Sequence, residues 1–277
     1  MAGVDARTEQ GRAGLAALVH DPGSALVAFD FDGTLAPIVP DPAQARAHPG
    51  AVAALTGLAR HVGHTAIITG RPAATAVEYA GLRGAPGLAD LTLLGHYGLE
   101  RWDPASDQVS APAPPAGVEQ VRQRLPALLE SAKLPDAYVE DKGTSLGVHT
   151  RRLPDPQEAF DRLRQPLQDL ADEVGLVLEP GRLVLELRPR GMDKGAALRA
   201  LVEELGARTV AFVGDDLGDL PAFDAVDALR AEGLAGLLVC SGSTEEAAVA
   251  ERADVVVDGP EGVVALLRAL TALLDRR

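Results

Sequence analysis

The chemistry of this chain is concentrated first in Asp30-Phe31-Asp32-Gly33-Thr34-Leu35. Residues i and i+2 of an extended segment point to the same side, so both carboxylates are expected to face one pocket. Two like charges that close repel unless a cation sits between them or one carboxyl keeps a proton. Both outcomes suit phosphoryl transfer, with a hard metal on one carboxylate and an acid/base role for the other. Gly33 permits a sharp turn and Thr34 adds a hydroxyl. Asp-Gly is also an ordinary turn signal, so the pair alone is weak. A calcium loop is rejected: it needs glycine at its sixth position, which is Leu35 counting from Asp30.

Three more clusters carry polar groups of the right kind. They are Thr69-Gly70-Arg71-Pro72, Asp193-Lys194-Gly195 and Gly214-Asp215-Asp216. Each has a plain reading as a turn, a helix cap or a surface lysine. Together they supply what phosphoryl transfer needs. Asp30 is the carboxylate nucleophile that forms an aspartyl phosphate. Asp32 gives a proton to the leaving oxygen and later takes one from water. Thr69 and Lys194 offset charge on the phosphoryl oxygens. Magnesium takes oxygen ligands, here Asp30, the Asp32 carbonyl and Asp215, with Asp219 behind them.

These clusters need elements to hold them at one edge. Ala25–Phe29 is an unbroken apolar run and reads as a buried strand ending at Asp30. Residues 65–68 read as a second strand ending at Thr69, and 91–94 as a third ending at Gly95-His96-Tyr97-Gly98. Residues 210–213 read as a fourth, ending at Asp215; 237–239 and 255–257 are the last strands. Helices are expected over 12–20, 50–61, 73–80, 193–205 and 261–274, after a frayed tail of 1–11. Alternating strands and helices predict an α/β core: a Rossmann-like, doubly wound parallel sheet with ligands beyond its carboxyl ends.

Residues 103–117 hold four prolines and read as a linker. After it come a helix (118–133), a strand (137–150), a long amphipathic helix (155–173) and a hairpin (176–178 and 183–187) around Glu179-Pro180-Gly181-Arg182. That order predicts a small α+β domain inserted into the core. The expected division is 1–108 core, 109–189 inserted cap, 190–277 core.

The net charge of −14 argues against nonspecific nucleic-acid binding. No segment approaches the ~20 apolar residues of a membrane span. No signal peptide is read in the N-terminus. A soluble cytoplasmic protein, with a monomer favoured, is the expectation. The lone Cys240 reads as a buried structural thiol. His61 and His64 have helical spacing but no third ligand, so zinc is not expected. His96, beside two glycines at a strand end, is a candidate for the pocket wall.

Taken together, Asp30 to Thr34, Thr69, Lys194 and Gly214 to Asp216 resemble the four motifs of the haloacid dehalogenase superfamily of phosphatases. The same nucleophile, acid/base and magnesium are what that resemblance implies, and the insertion resembles its larger type of cap. Asp30 to Pro40, Ile68 to Arg71, Gly95 to Glu100, Val139 to Gly143 and Glu186 to Pro189 resemble the trehalose-6-phosphate phosphatase family within it. That likeness implies that Glu140, Lys142 and Glu186 bind the sugar; Gly70, Arg71 and His96, at strand ends, are the further substrate-binding candidates. Leu217-Gly218-Asp219-Leu220 replaces a more polar run in the last motif. A neutral disaccharide is well gripped by charged donors and acceptors, and Glu140 and Lys142 alternate on one strand.

The expected function is magnesium-dependent hydrolysis of trehalose 6-phosphate to trehalose and phosphate, in trehalose biosynthesis. The partner is then a small sugar phosphate. The alternatives are a phosphatase or phosphomutase acting on another sugar phosphate, and a sensor that binds without turnover. The Asp30 and Asp32 pair argues against the sensor, because binding alone needs no acid/base beside the nucleophile.

Overall fold

The Thr8 hydroxyl accepts a hydrogen bond from the Gly11 N–H and starts helix α1 (Glu9–His20). The segment before it is not frayed: the Arg7 N–H donates to the Asp254 carbonyl at 2.8 Å, and Ala6 is buried. The chain then enters β1 (Ala25–Phe29), in which every residue is buried. In this computed structural model residues 4–113, 115–181, 183–242 and 247–276 are described. Pro114 of the proline-rich stretch, Arg182 of the expected hairpin turn and residues 1–3 of the expected tail lie outside them.

After β1 come α2 (Ala51–Ala59), β2 (His64–Ile68), α3 (Ala73–Ala80), β3 (Thr92–Gly95), β4 (Glu100–Asp103) and β5 (Gln108–Ser110). An inserted stretch follows with α4 (Ala116–Ser131), β6 (Tyr138–Asp141), β7 (Leu146–His149), α5 (Pro156–Val174), β8 (Leu176–Gly181) and β9 (Val184–Pro189). The chain then runs through α6 (Lys194–Leu205), β10 (Thr209–Gly214), α7 (Leu220–Ala231) and β11 (Ala235–Gly242). It ends with α8 (Ala247–Arg252), β12 (Val255–Asp258) and α9 (Gly259–Leu274).

Two compact units result, Met1–Ala111 with Asp193–Arg277, and Pro112–Met192. Their limits differ by three residues from the 109–189 expected for the insertion. In the first unit the described strands form one sheet in the order β12-β11-β10-β1-β2-β3-β4-β5. Pairing is parallel from β12 to β3 and antiparallel for β3–β4 and β4–β5. The expected linker therefore begins with part of a sheet-extending hairpin, and the sheet is mixed rather than purely parallel. Its strands escape periodicity because Glu100, Arg101 and Asp103 are polar and β5 is an exposed edge.

Alternate residues of β1 feed opposite faces of this sheet. Val27 and Phe29 join Leu55, Val77 and Leu267 in one core, which also holds Leu18 of α1. Leu26 and Ala28 join Leu198, Phe212, Phe223 and Val249 in the other. A side chain at Gly14 of α1 would meet the Gly236 carbonyl at 1.8 Å, so helix and strand backbones touch there. Cys240 lies buried on β11, and burial pushes its thiol up to about 11.

The second unit is a four-stranded antiparallel sheet, β6-β7-β9-β8, with α4 and α5. Leu146, Val148, Leu185 and Leu187 pack with Val121, Leu125, Leu163 and Leu167 of the helices. Residues 137–150, expected as one strand, are two antiparallel strands, since Gly143 at φ 81° turns the chain between β6 and β7. Among the described residues no helix is long and apolar enough to cross a membrane.

Candidate active site

The carboxyl ends of β1, β2 and β10 bring the expected motifs together. Asp30 continues the pairing of β1, its N–H donating to the Val213 carbonyl at 2.8 Å. Gly33 takes φ 74°, and its N–H bonds the Ala36 carbonyl at 2.7 Å to close the turn. The Ser241 hydroxyl ties the Gly33 carbonyl at 2.7 Å. A side chain at Gly33 would stand 1.9 Å from Asp215 Oδ2, so glycine is required by both angle and space. Thr34 is fully buried beside Asp215.

Asp30, Asp215 and Asp219 present carboxylate oxygens within 4.8 Å of one another, and all three residues are buried. Lys194, the first residue of α6, is also buried and reaches Asp30 Oδ1 at 2.8 Å and Asp219 Oδ1 at 2.7 Å. Asp219 Oδ2 accepts from the N–H groups of Asp215 at 2.8 Å and Asp216 at 3.2 Å. Both Asp219 oxygens are thus occupied by protein donors. It positions Lys194 and the Asp215 loop, which leaves Asp30 and Asp215 as the carboxylates open to a cation.

The charges do not balance within the cluster. Burial pushes the Asp30 carboxyl well above its usual range; Lys194 opposes this, while Asp219 and Asp216 add to it. Burial also pushes Asp215 up to about 9, reinforced by Asp30, Asp219 and Asp216. For Lys194 burial favours the neutral amine, but Asp219, Asp30 and Asp216 outweigh it and raise its pKa well above the usual value. One ammonium among three buried carboxylates leaves a deficit of positive charge that a divalent cation would offset. Buried all-oxygen donors suit magnesium.

Thr69 and Arg71 stand at the end of β2. The Thr69 N–H bonds the Leu94 carbonyl at 2.9 Å, and its Oγ1 accepts from the Arg71 N–H at 3.2 Å. A side chain at Gly70 would meet the Tyr97 hydroxyl at 2.7 Å. The Arg71 guanidinium makes two hydrogen bonds to Asp32, Nε to Oδ2 at 2.6 Å and Nη2 to Oδ1 at 2.7 Å. Asp32 is the more open of the two motif aspartates, with its side chain 32% exposed against 6% for Asp30. The two motif aspartates thus have different partners, Arg71 for Asp32 and Lys194 for Asp30.

His96 departs from the expected pocket wall. It is 1% exposed, and its Nδ1 lies 3.2 Å from Glu100 Oε1. Glu100 also accepts from the Ala73 N–H at the start of α3, at 2.6 Å. Burial raises the Glu100 carboxyl, but the His96 and Ala73 hydrogen bonds outweigh it and hold it below its usual range. Glu100 was legible only as part of a motif; its contact with α3 needed the fold.

In the second unit, Glu140, Gly147, Glu186 and Glu179 lie in one cross-strand row. Their side chains share the sheet face opposite Val148, Leu185 and Leu187. Glu186 is buried and accepts from Lys142 Nζ at 2.9 Å and Ser145 Oγ at 2.7 Å. Glu140 lies 3.0 Å from His149 Nε2, while Lys142 reaches across the sheet to Glu186. Ser145 and His149 were missed by sequence reasoning. The period-2 spacing of Ser145, just before β7, with Gly147 and His149 on it was the available signal.

The family model described as Trehalose-phosphatase matches residues 28–256. A trehalose-phosphate phosphatase of Mycobacterium avium is 33% identical over 207 residues, covering 72% of this chain and 51% of that protein. The trehalose-6-phosphate phosphatase of Escherichia coli is 32% identical over 204 residues, covering 73% of each. The chain thus spans about half the length of the mycobacterial trehalose-phosphate phosphatases it matches. A structure of Aspergillus fumigatus trehalose-6-phosphate phosphatase superposes with a TM-score of 0.70 at 25% identity, covering 97% of this chain and 99% of that one. With the family model matched across the buried aspartates, the lysine and most of both units, the chain belongs to the trehalose-phosphatase family.

Proposed function

We propose that this protein hydrolyses trehalose 6-phosphate to trehalose and inorganic phosphate, with a cytoplasmic site of action and a covalent aspartyl phosphate on Asp30. The observation that carries the reading is the buried set of Asp30, Asp215, Asp219 and Lys194 beside the Asp32 turn. An Asp30 oxygen bonds to phosphorus as the phosphorus–oxygen ester bond breaks. The departing sugar oxygen takes its proton from Asp32. Water then attacks the phosphorus of the aspartyl phosphate, gives a proton to Asp32 and frees Asp30.

Lys194 holds the Asp30 carboxylate in line and offsets charge on the phosphoryl oxygens. The Thr69 hydroxyl donates to one of those oxygens. Asp30, Asp215 and the Asp32 carbonyl would hold magnesium, which when bound neutralises charge on phosphate and carboxylates together. Recognition of the disaccharide is assigned to Glu140, Lys142 and Glu186. Their sheet face is polar, and a carboxylate fixed by two donors keeps its geometry for a sugar hydroxyl.

The test is phosphate release from a panel of sugar phosphates, with magnesium and with EDTA. Trehalose 6-phosphate is expected to be the best substrate and EDTA to stop turnover. A preference for glucose 6-phosphate would refute the substrate, and binding without release would refute the enzyme.

A further inference from the structure

Arg71 stands in the phosphate-handling loop at the end of β2, where a guanidinium is expected to meet the substrate's phosphoryl group. Its geometry points elsewhere. Nε and Nη2 are both spent on the two oxygens of Asp32, at 2.6 and 2.7 Å. This is the parallel fork that only arginine makes with a carboxylate. Among the described residues, the hydrogen bonds to the Asp32 carboxylate come from Arg71 alone.

The guanidinium is itself fixed from behind. It lies 5.2 Å from the Tyr79 ring centre and 5.9 Å from that of Phe31, within cation–π range. Arg46 lies 4.1 Å from the Tyr79 ring centre, so two guanidinium groups flank one ring. The Arg71 backbone is held at both ends, its N–H by Thr69 Oγ1 at 3.2 Å and its carbonyl by the His96 N–H at 2.9 Å. Asp30 has a buried lysine to orient it; the half-open Asp32 has this fork.

We propose that Arg71 is a positioning residue that acts through Asp32, fixing the plane and rotamer of the acid/base carboxylate, and does not bind the substrate. The proposal rests on the phosphatase reading of Asp32. Arg71→Ala is expected to lower kcat by about 10–100-fold, the order that misplacing a reacting group produces, with KM within about 3-fold of wild type. Arg71→Lys keeps the charge but loses the fork, and falls nearly as far. Added guanidinium restores part of the Arg71→Ala rate. In an Asp32→Asn background Arg71→Ala costs little more, because its target is already gone. Tyr79→Ala, which removes the support, lowers kcat in the same sense.

A parallel titration with inorganic phosphate keeps the two readings separate. Arg71→Ala should bind phosphate with unchanged affinity. Losses that multiply in the double variant, a KM raised tenfold or more, or phosphate affinity weakened by that amount would overturn the positioning role. If the wild type hydrolyses no phosphate ester, the functional reading fails. Phosphate affinity then still decides whether Arg71 touches the anion, and an unchanged value supports the fork as its role.

Discussion

Replacing Gly33 by alanine tests whether the aspartate turn and Asp215 are packed as closely as the geometry says. The new Cβ would lie 1.9 Å from Asp215 Oδ2 and 2.2 Å from its Cγ. Ordinary contact begins near 3.4 Å, so Asp215 must retreat by about 1.5 Å, the difference between those two distances. The turn cannot yield easily, because the Gly33 N–H is tied to Ala36 and its carbonyl to Ser241. Positive φ costs alanine about 1–2 kcal/mol, and overpacking about 1–3 kcal/mol more. A fall in Tm on the order of 5–15 °C follows for a protein of this size. A reacting group displaced by about 1 Å costs on the order of 10²-fold in rate, so kcat should fall by at least about that factor. The magnesium needed for half-maximal activity should rise. Gly81→Ala is the control: it also sits at positive φ, 68°, as the cap of α3, but nothing lies within 4 Å of its added carbon. It should lose stability without losing kcat. Thermal melts and phosphate release over a magnesium titration read all three quantities. A Gly33→Ala enzyme within about 3-fold of wild type at equal magnesium would refute the reasoning.

Three further outcomes are expected. Asp30→Asn should abolish turnover with the fold retained, and beryllium fluoride should bond Asp30 in the wild type; activity in a clean Asp30→Asn preparation would sink the covalent route. Glu186→Ala should cut kcat/KM on trehalose 6-phosphate about tenfold or more while p-nitrophenyl phosphate hydrolysis changes little, because a site built to hydrogen-bond a hydroxyl suffers when its partner is lost. Equal loss on both substrates would move Glu186 out of substrate recognition. The depressed Glu100 carboxyl binds fewer protons folded than unfolded, so its stabilisation is present above about pH 4.5 and is lost as pH falls through the lower folded value. Urea titrations from pH 7 to pH 3 should therefore show a smaller acid loss in Glu100→Gln than in wild type, and parallel curves would contradict the His96–Glu100–Ala73 linkage.

Apolar runs bounded by turn residues were enough to place β1, β2, β3 and β10 and to put acidic or hydroxyl residues at three of their ends. Burial on both faces leaves a continuous apolar signature, and a parallel sheet puts those ends along one edge. Thr69 and Asp215 were legible for that reason, and Lys194 as the opening of a helix. The β4–β5 hairpin was not, because an edge pair rich in polar residues has no such signature. Helices α7 and α8 went unremarked, and the β6–β7 turn was read through as one strand. Periodicity reports which side of an element is buried, never which distant residue answers it. Only the tertiary structure paired Arg71 with Asp32 across 39 positions, gave Glu186 to Lys142 and Ser145, and set His96 against Glu100 in the interior. Those contacts depend on turns at Gly33 and Gly143 and on sheet register, which redirect side chains by angles that composition and spacing do not encode.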